Sequence, residues 1–156
     1  MRLPSVVAVL CVVAPVFADS GFETRTQTVT ATVTVQPRTA VKLSSEQLEF
    51  VVPAGSREAV DVIGFSAGAR AQPNSGVVLT VEAGSVSSTG PGGPAKAASL
   101  SFTTAEGSSG DLSPFVPQVV ATWIGGGLRR GELRFTLRDV PPGSYTAPIR
   151  VTVTVP

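Results

Sequence analysis

The chain contains no histidine, and its one cysteine (Cys11) and one methionine (Met1) both sit at the amino-terminal end. It has one tryptophan, one tyrosine and two lysines, Lys42 and Lys96. Each scarcity removes a chemistry. Without imidazole, and without a thiol beyond Cys11, the Ser-His-Asp and Cys-His triads and the usual zinc ligand sets have no members. A serine–lysine pair at Ser-x-x-Lys spacing is absent, because Thr39 and Gly93 stand three residues before the lysines. No Asp-x-Asp-x-Asp run offers calcium its oxygens. No two carboxylates stand closer in sequence than Glu46 and Glu49, three residues apart, and these lie in a short polar turn beside Leu48 and Phe50 that implies no glycosidase cleft. The glycine-rich stretch Gly125–Gly131, with Arg129 and Arg130, lacks the lysine-serine ending of a phosphate cradle and reads as a loop between strands. The chain is therefore read as non-catalytic, with no cofactor and no metal.

What is present first is an export signal. Met1-Arg2 is a basic start, Val6–Val13 is an apolar run, and Val16-Phe17-Ala18 supplies a cleavage site. The run is shorter than the roughly 20 residues a membrane span takes, so residues 1–18 are expected to be a signal peptide. Export leads to the periplasm, the cell surface or the medium, which the sequence does not separate. Residues 19–35 form an alternating segment, and 36–156 are expected to make one domain. Once Arg2 leaves with the signal, acidic and basic residues balance, so no basic surplus is available for nucleic acid and the mature chain has no membrane span.

Both ends of this mature chain are written in one code. Thr28–Val35 reads TVTATVTV and Val151–Val155 reads VTVTV. Successive strand side chains point to opposite faces, so Val29, Ala31, Val33 and Val35 share one face, as do Val151, Val153 and Val155. Between them come short runs rich in valine, threonine and aromatics, punctuated by glycine, proline and serine, with no apolar stripe at helical spacing. Strands are expected at 28–35, 40–43, 48–52, 59–65, 76–82, 99–103, 118–123, 132–138 and 148–155. Seven to nine short strands without crossover helices predict an all-β, Greek-key sandwich of immunoglobulin-like type. Residues 83–98 and 105–117 read as Gly/Ser/Pro-rich loops. Trp123 could stack on a sugar, but it closes the apolar run VVATW and reads as core. Tyr145, two residues after Gly143 of a Pro-Gly turn, is expected to pack its ring at the sandwich end and bond its hydroxyl to nearby backbone, as in a tyrosine corner.

The stretch Asp139–Val155, DVPPGSYTAPIRVTVTV, resembles the ending of bacterial fimbrial and spore-coat-U-like subunits. The front, VTATVTVQPRTAVKLSSEQLEF, resembles their alternating amino-terminal segment and the strand after it. The ends are similar also to a broader set of cysteine-free secreted sandwich domains. Those subunits carry a cysteine near the positions of Pro37, Thr39 and Ala40 and a glycine after the phenylalanine, where this chain has Val51. The resemblance implies a pilin-like sandwich lacking one strand, filled by a partner subunit's alternating extension through β-strand addition. It also implies related subunits or further copies of the chain as partners, and a periplasmic chaperone. On this reading the carboxy-terminal strand with Val151, Val153 and Val155 lines the gap, while the segment from about Gly21 to Val35, or its first half, is donated, with Val29, Ala31, Val33 and Val35 as assembly residues. The alternatives are that both ends are strands of one self-contained sandwich, and that the protein is a monomeric extracellular module binding glycan or protein through its loops.

Overall fold

The computed structural model describes residues 38–90 and 98–156. Within them the chain forms ten strands and no helix: β1 (Arg38–Leu43), β2 (Gln47–Val52), β3 (Glu58–Arg70), β4 (Gly76–Ala83), β5 (Ser87–Ser88), β6 (Ser99–Thr104), β7 (Ser109–Leu112), β8 (Gln118–Ile124), β9 (Gly127–Arg138) and β10 (Gly143–Thr154). One sheet runs β1-β3-β9-β6-β7 and the other β2-β10-β4-β8, with β5 also on β10. All pairings are antiparallel, and the two sheets pack as a sandwich.

The period-two pattern explains the layers. Along β2, Leu48, Phe50 and Val52 are buried while Gln47, Glu49 and Val51 face out, and β4 buries Val77, Leu79, Val81 and Ala83 in the same rhythm. These side chains meet Ile63, Phe102, Leu133, Phe135 and Leu137 of the facing sheet in one core that contains no buried polar residue among those described. Each fully buried side chain of this size contributes roughly 1.5–3 kcal/mol, so packing alone can hold a domain with no disulfide.

Several boundaries differ from those the sequence predicts. The strands number ten rather than seven to nine, even without Thr28–Val35, which lies outside the described residues. Residues 105–117 are not one loop, because β7 pairs with β6 there. Its sequence, SGDL, carries no strand signal; what admits it is Gly110, where a Cβ would come within 2.9 Å of the Phe102 ring. The glycine-rich stretch is likewise mostly strand. Only Gly125 and Gly126 turn, and β9 pairs from Gly127 onward with the small residues Ala67, Gly68 and Ala69 of a β3 that extends to Arg70. Finally, β10 begins at Gly143 instead of Pro148, because β2 offers it a partner immediately after the Pro-Gly turn.

Candidate functional site

β10 is paired differently on its two sides. On one side it meets β5 at Tyr145–Thr146 and β4 at Ile149–Thr154. On the other it meets β2, but only from Gly143 to Pro148. Backbone groups of an antiparallel strand alternate between its neighbours, and two hydrogen bonds fix the phase. Gly84 N–H donates to Pro148 C=O at 2.8 Å on the β4 side, and Ile149 N–H donates to Glu46 C=O at 3.0 Å on the β2 side. It follows that the N–H and C=O of Val151 and Val153 face the β2 side, beyond the point where β2 begins. No strand among the described residues pairs with them there.

Opposite that edge runs β1. Ser44 N–H donates to Gly64 C=O at 2.9 Å, which sets the even-numbered residues of β1 toward β3 and leaves the backbone of Val41 and Leu43 facing away from it. Between the two edges lies a groove of about 410 Å³ lined by Val41, Leu43, Glu46 and Pro148–Val151. Val153 is buried at 7 % exposure, and Val41, Leu43, Val151 and Val155 are partly buried against the core. The groove thus offers an apolar floor and unpaired backbone on both walls, the two things a β-strand requires.

The other seam between the sheets is closed by side chains. The Asp61 carboxylate accepts from Glu49 N–H of β2 through Oδ2 and from Val62 N–H of β3 through Oδ1, each at 2.8 Å. Ser44 Oγ accepts from Gly64 N–H at 3.0 Å, and Ser45 Oγ from Gln47 N–H at 3.1 Å. Side-chain caps of this kind blunt a strand edge against further pairing. One seam is capped, and along the other the Val151 and Val153 edge meets no such cap among the described residues.

Of the residues singled out in the sequence, Val151, Val153 and Val155 share the face that leans into the core beside the groove. Val29, Ala31, Val33 and Val35 lie outside the described residues. Gly143 opens β10 opposite Val52, and Tyr145, 4 % exposed, donates its hydroxyl to Pro141 C=O at 2.8 Å. Trp123 is 8 % exposed and offers no ring face to a sugar; its Nε1–H is buried without an acceptor, and the Arg129 guanidinium lies 6.0 Å from the ring centre. Asp61, Ser44 and Ser45 were not legible as edge caps. Their only signal is polarity at strand ends or within a strand, and their roles depend on which strands come together. Among the described residues no group of three His, Cys, Asp or Glu is placed to hold a metal, and no helix is long and apolar enough to cross a membrane. No family model matches the chain, and no curated protein matches it.

Proposed function

We propose that this is an exported, non-catalytic structural or adhesive subunit that assembles by strand addition, the alternating segment Thr28–Val35 of one copy lying along the open edge of β10 in the next. The observation that carries the reading is the contrast between the two seams. Edge caps protect β2 and β3, while Val151 and Val153 present bare backbone beside a groove that Val41, Leu43 and Val151 line together with Glu46 and Arg150. The donor has matching chemistry, with Val29, Ala31, Val33 and Val35 on one face for the groove and threonines on the other for water. The resemblance of both ends to fimbrial and spore-coat-U-like subunits supports the same arrangement, and gives a periplasmic chaperone the task of covering the groove before assembly.

The test is deletion of Asp19–Val35, which removes the whole alternating segment. The parent protein is expected to form concentration-dependent oligomers in sedimentation velocity, and the deletion variant to remain monomeric with an unchanged circular dichroism spectrum and melting temperature. A variant that oligomerises like the parent, or a parent monomeric at every concentration, overturns the proposal.

A further inference from the structure

Phe115 is the least explained residue in the described fold. It is 67 % exposed, so burial does not account for it, and its φ is +62°, a region sterically reserved for glycine and asparagine. It is the third residue of a turn Ser113-Pro114-Phe115-Val116 closed by Val116 N–H donating to Ser113 C=O at 3.1 Å. Turns with proline second and positive φ third call for glycine in that third place. The strain is held by tertiary structure, since Phe115 N–H donates to Ala83 C=O at 2.8 Å. An exposed, strained aromatic of this kind is the sort of outlier from which a binding role is argued.

Its surroundings specify a ligand. Phe115 borders a shallow cavity of about 220 Å³ with Glu82, Gly84, Pro148, Ile149 and Arg150. Gly84 lets this floor close up, because a Cβ there would lie 2.6 Å from Pro148 Cγ and 3.6 Å from the Phe115 ring. Glu82 and Arg150 are register partners across β4 and β10, yet they form no ion pair with each other, which leaves a carboxylate acceptor and a guanidinium donor beside the ring. A hydroxyl both donates and accepts, so adjacent hydroxyls suit such a pair. The negative face of an aromatic ring attracts the weakly positive C–H face of a pyranose. The volume falls below the roughly 300 Å³ where pockets for drug-sized ligands begin, which suits a single sugar ring.

We infer that the Phe115 cavity is a glycan-binding site that takes one pyranose ring, with Phe115 as the platform and Glu82 and Arg150 as hydroxyl partners. The cavity shares Pro148, Ile149 and Arg150 with the groove beside β10, but Phe115 and Glu82 lie outside that groove, so the Phe115 variants test the glycan reading apart from strand addition. The test is saturation-transfer difference NMR on the purified protein with the methyl glycosides of glucose, galactose, mannose, N-acetylglucosamine and N-acetylgalactosamine. At least one is expected to receive saturation at its ring C–H protons. Phe115→Gly and Phe115→Asn, both suited to positive φ, are expected to melt at or above the parent temperature and to lose that transfer, and Arg150→Ala to weaken binding at least ten-fold. The inference is overturned if none of the five glycosides receives saturation or if Phe115→Gly retains it. It is equally overturned if the Phe115 variants change the oligomeric state while no glycoside binds, which makes the ring a protein contact.

Discussion

Proline placed at two adjacent positions of β10 separates the open edge from the paired one. Val151 directs its N–H to the groove, and Thr152, opposite Thr80, directs its N–H to β4. Val151→Pro removes a donor that no described strand uses, and edge strands tolerate proline when the lost N–H faces outward. Thr152→Pro removes a ladder bond and leaves the Thr80 carbonyl unpaired, at about 1–3 kcal/mol. For a domain of this size that amounts to roughly 3–5 °C in Tm per kcal/mol. The folded monomer is therefore expected to tolerate the first substitution and to lose stability with the second.

Assembly should rank the variants the other way. Burying the donor's three valines contributes roughly 5–9 kcal/mol at the usual value per side chain, while association costs about 4–15 kcal/mol. The two ranges overlap and largely cancel, so the backbone ladder along Val151 and Val153, the groups that β2 leaves unpaired, decides the strength of the complex. Val151→Pro deletes one bond of this ladder and props the incoming strand away from the next. Two bonds at about 1 kcal/mol each give roughly a 30-fold weaker association, since 1.4 kcal/mol is a factor of ten. Thermal melts combined with sedimentation equilibrium read both quantities. If Val151→Pro unfolds the protein, or assembles as tightly as the parent, the edge has been assigned to the wrong face of β10 and the reasoning fails.

Two further substitutions probe the closed parts of the sandwich. Asp61→Ala removes the shared acceptor for Glu49 N–H and Val62 N–H; because both residues are exposed and water can replace the carboxylate, the loss is expected to be about 1–2 kcal/mol, read from the urea midpoint, with increased self-association as the second edge is uncovered. Tyr145→Phe deletes the bond to Pro141 C=O while keeping the ring; Pro141 is exposed and its carbonyl rehydrates, so a loss of about 0.5–1 kcal/mol is expected, and a Tm equal to that of the parent would show the hydroxyl to be idle.

The two sheets were legible because the core is written in a period that only strands share. Leu48, Phe50 and Val52 alternate with polar neighbours, and Val77 to Ala83 repeat the pattern. Segments whose strand character comes from a partner were not legible. β7 has the composition of a turn and exists because Phe102 lies across Gly110; the first residues of β9 pair because Ala67, Gly68 and Ala69 leave room beside them. The left-handed Phe115 was equally hidden, since nothing local marks a phenylalanine for positive φ and the bond that holds it comes from Ala83, far back in the chain.

The candidate site divides along the same line. That the carboxy-terminal valines face an apolar surface follows from alternation, a local property. Whether their backbone is satisfied is not local, because it depends on where β2 stops pairing, and that point is set by the crossing of the chain from β1 into β2 at Ser44–Glu46. A strand that changes sheets at one place leaves two half-edges behind it, one on each sheet. Here the half-edge on β3 is met by Asp61 and Ser44, and the half-edge on β10 by no side-chain bond among the described residues. The same alternating pentapeptide, VTVTV, would be an interior strand had β2 begun a few residues earlier. The binding capacity ascribed to β10 therefore resides in the position of the β1–β2 crossing, and a variant that moves the crossing should change assembly without altering a residue of β10.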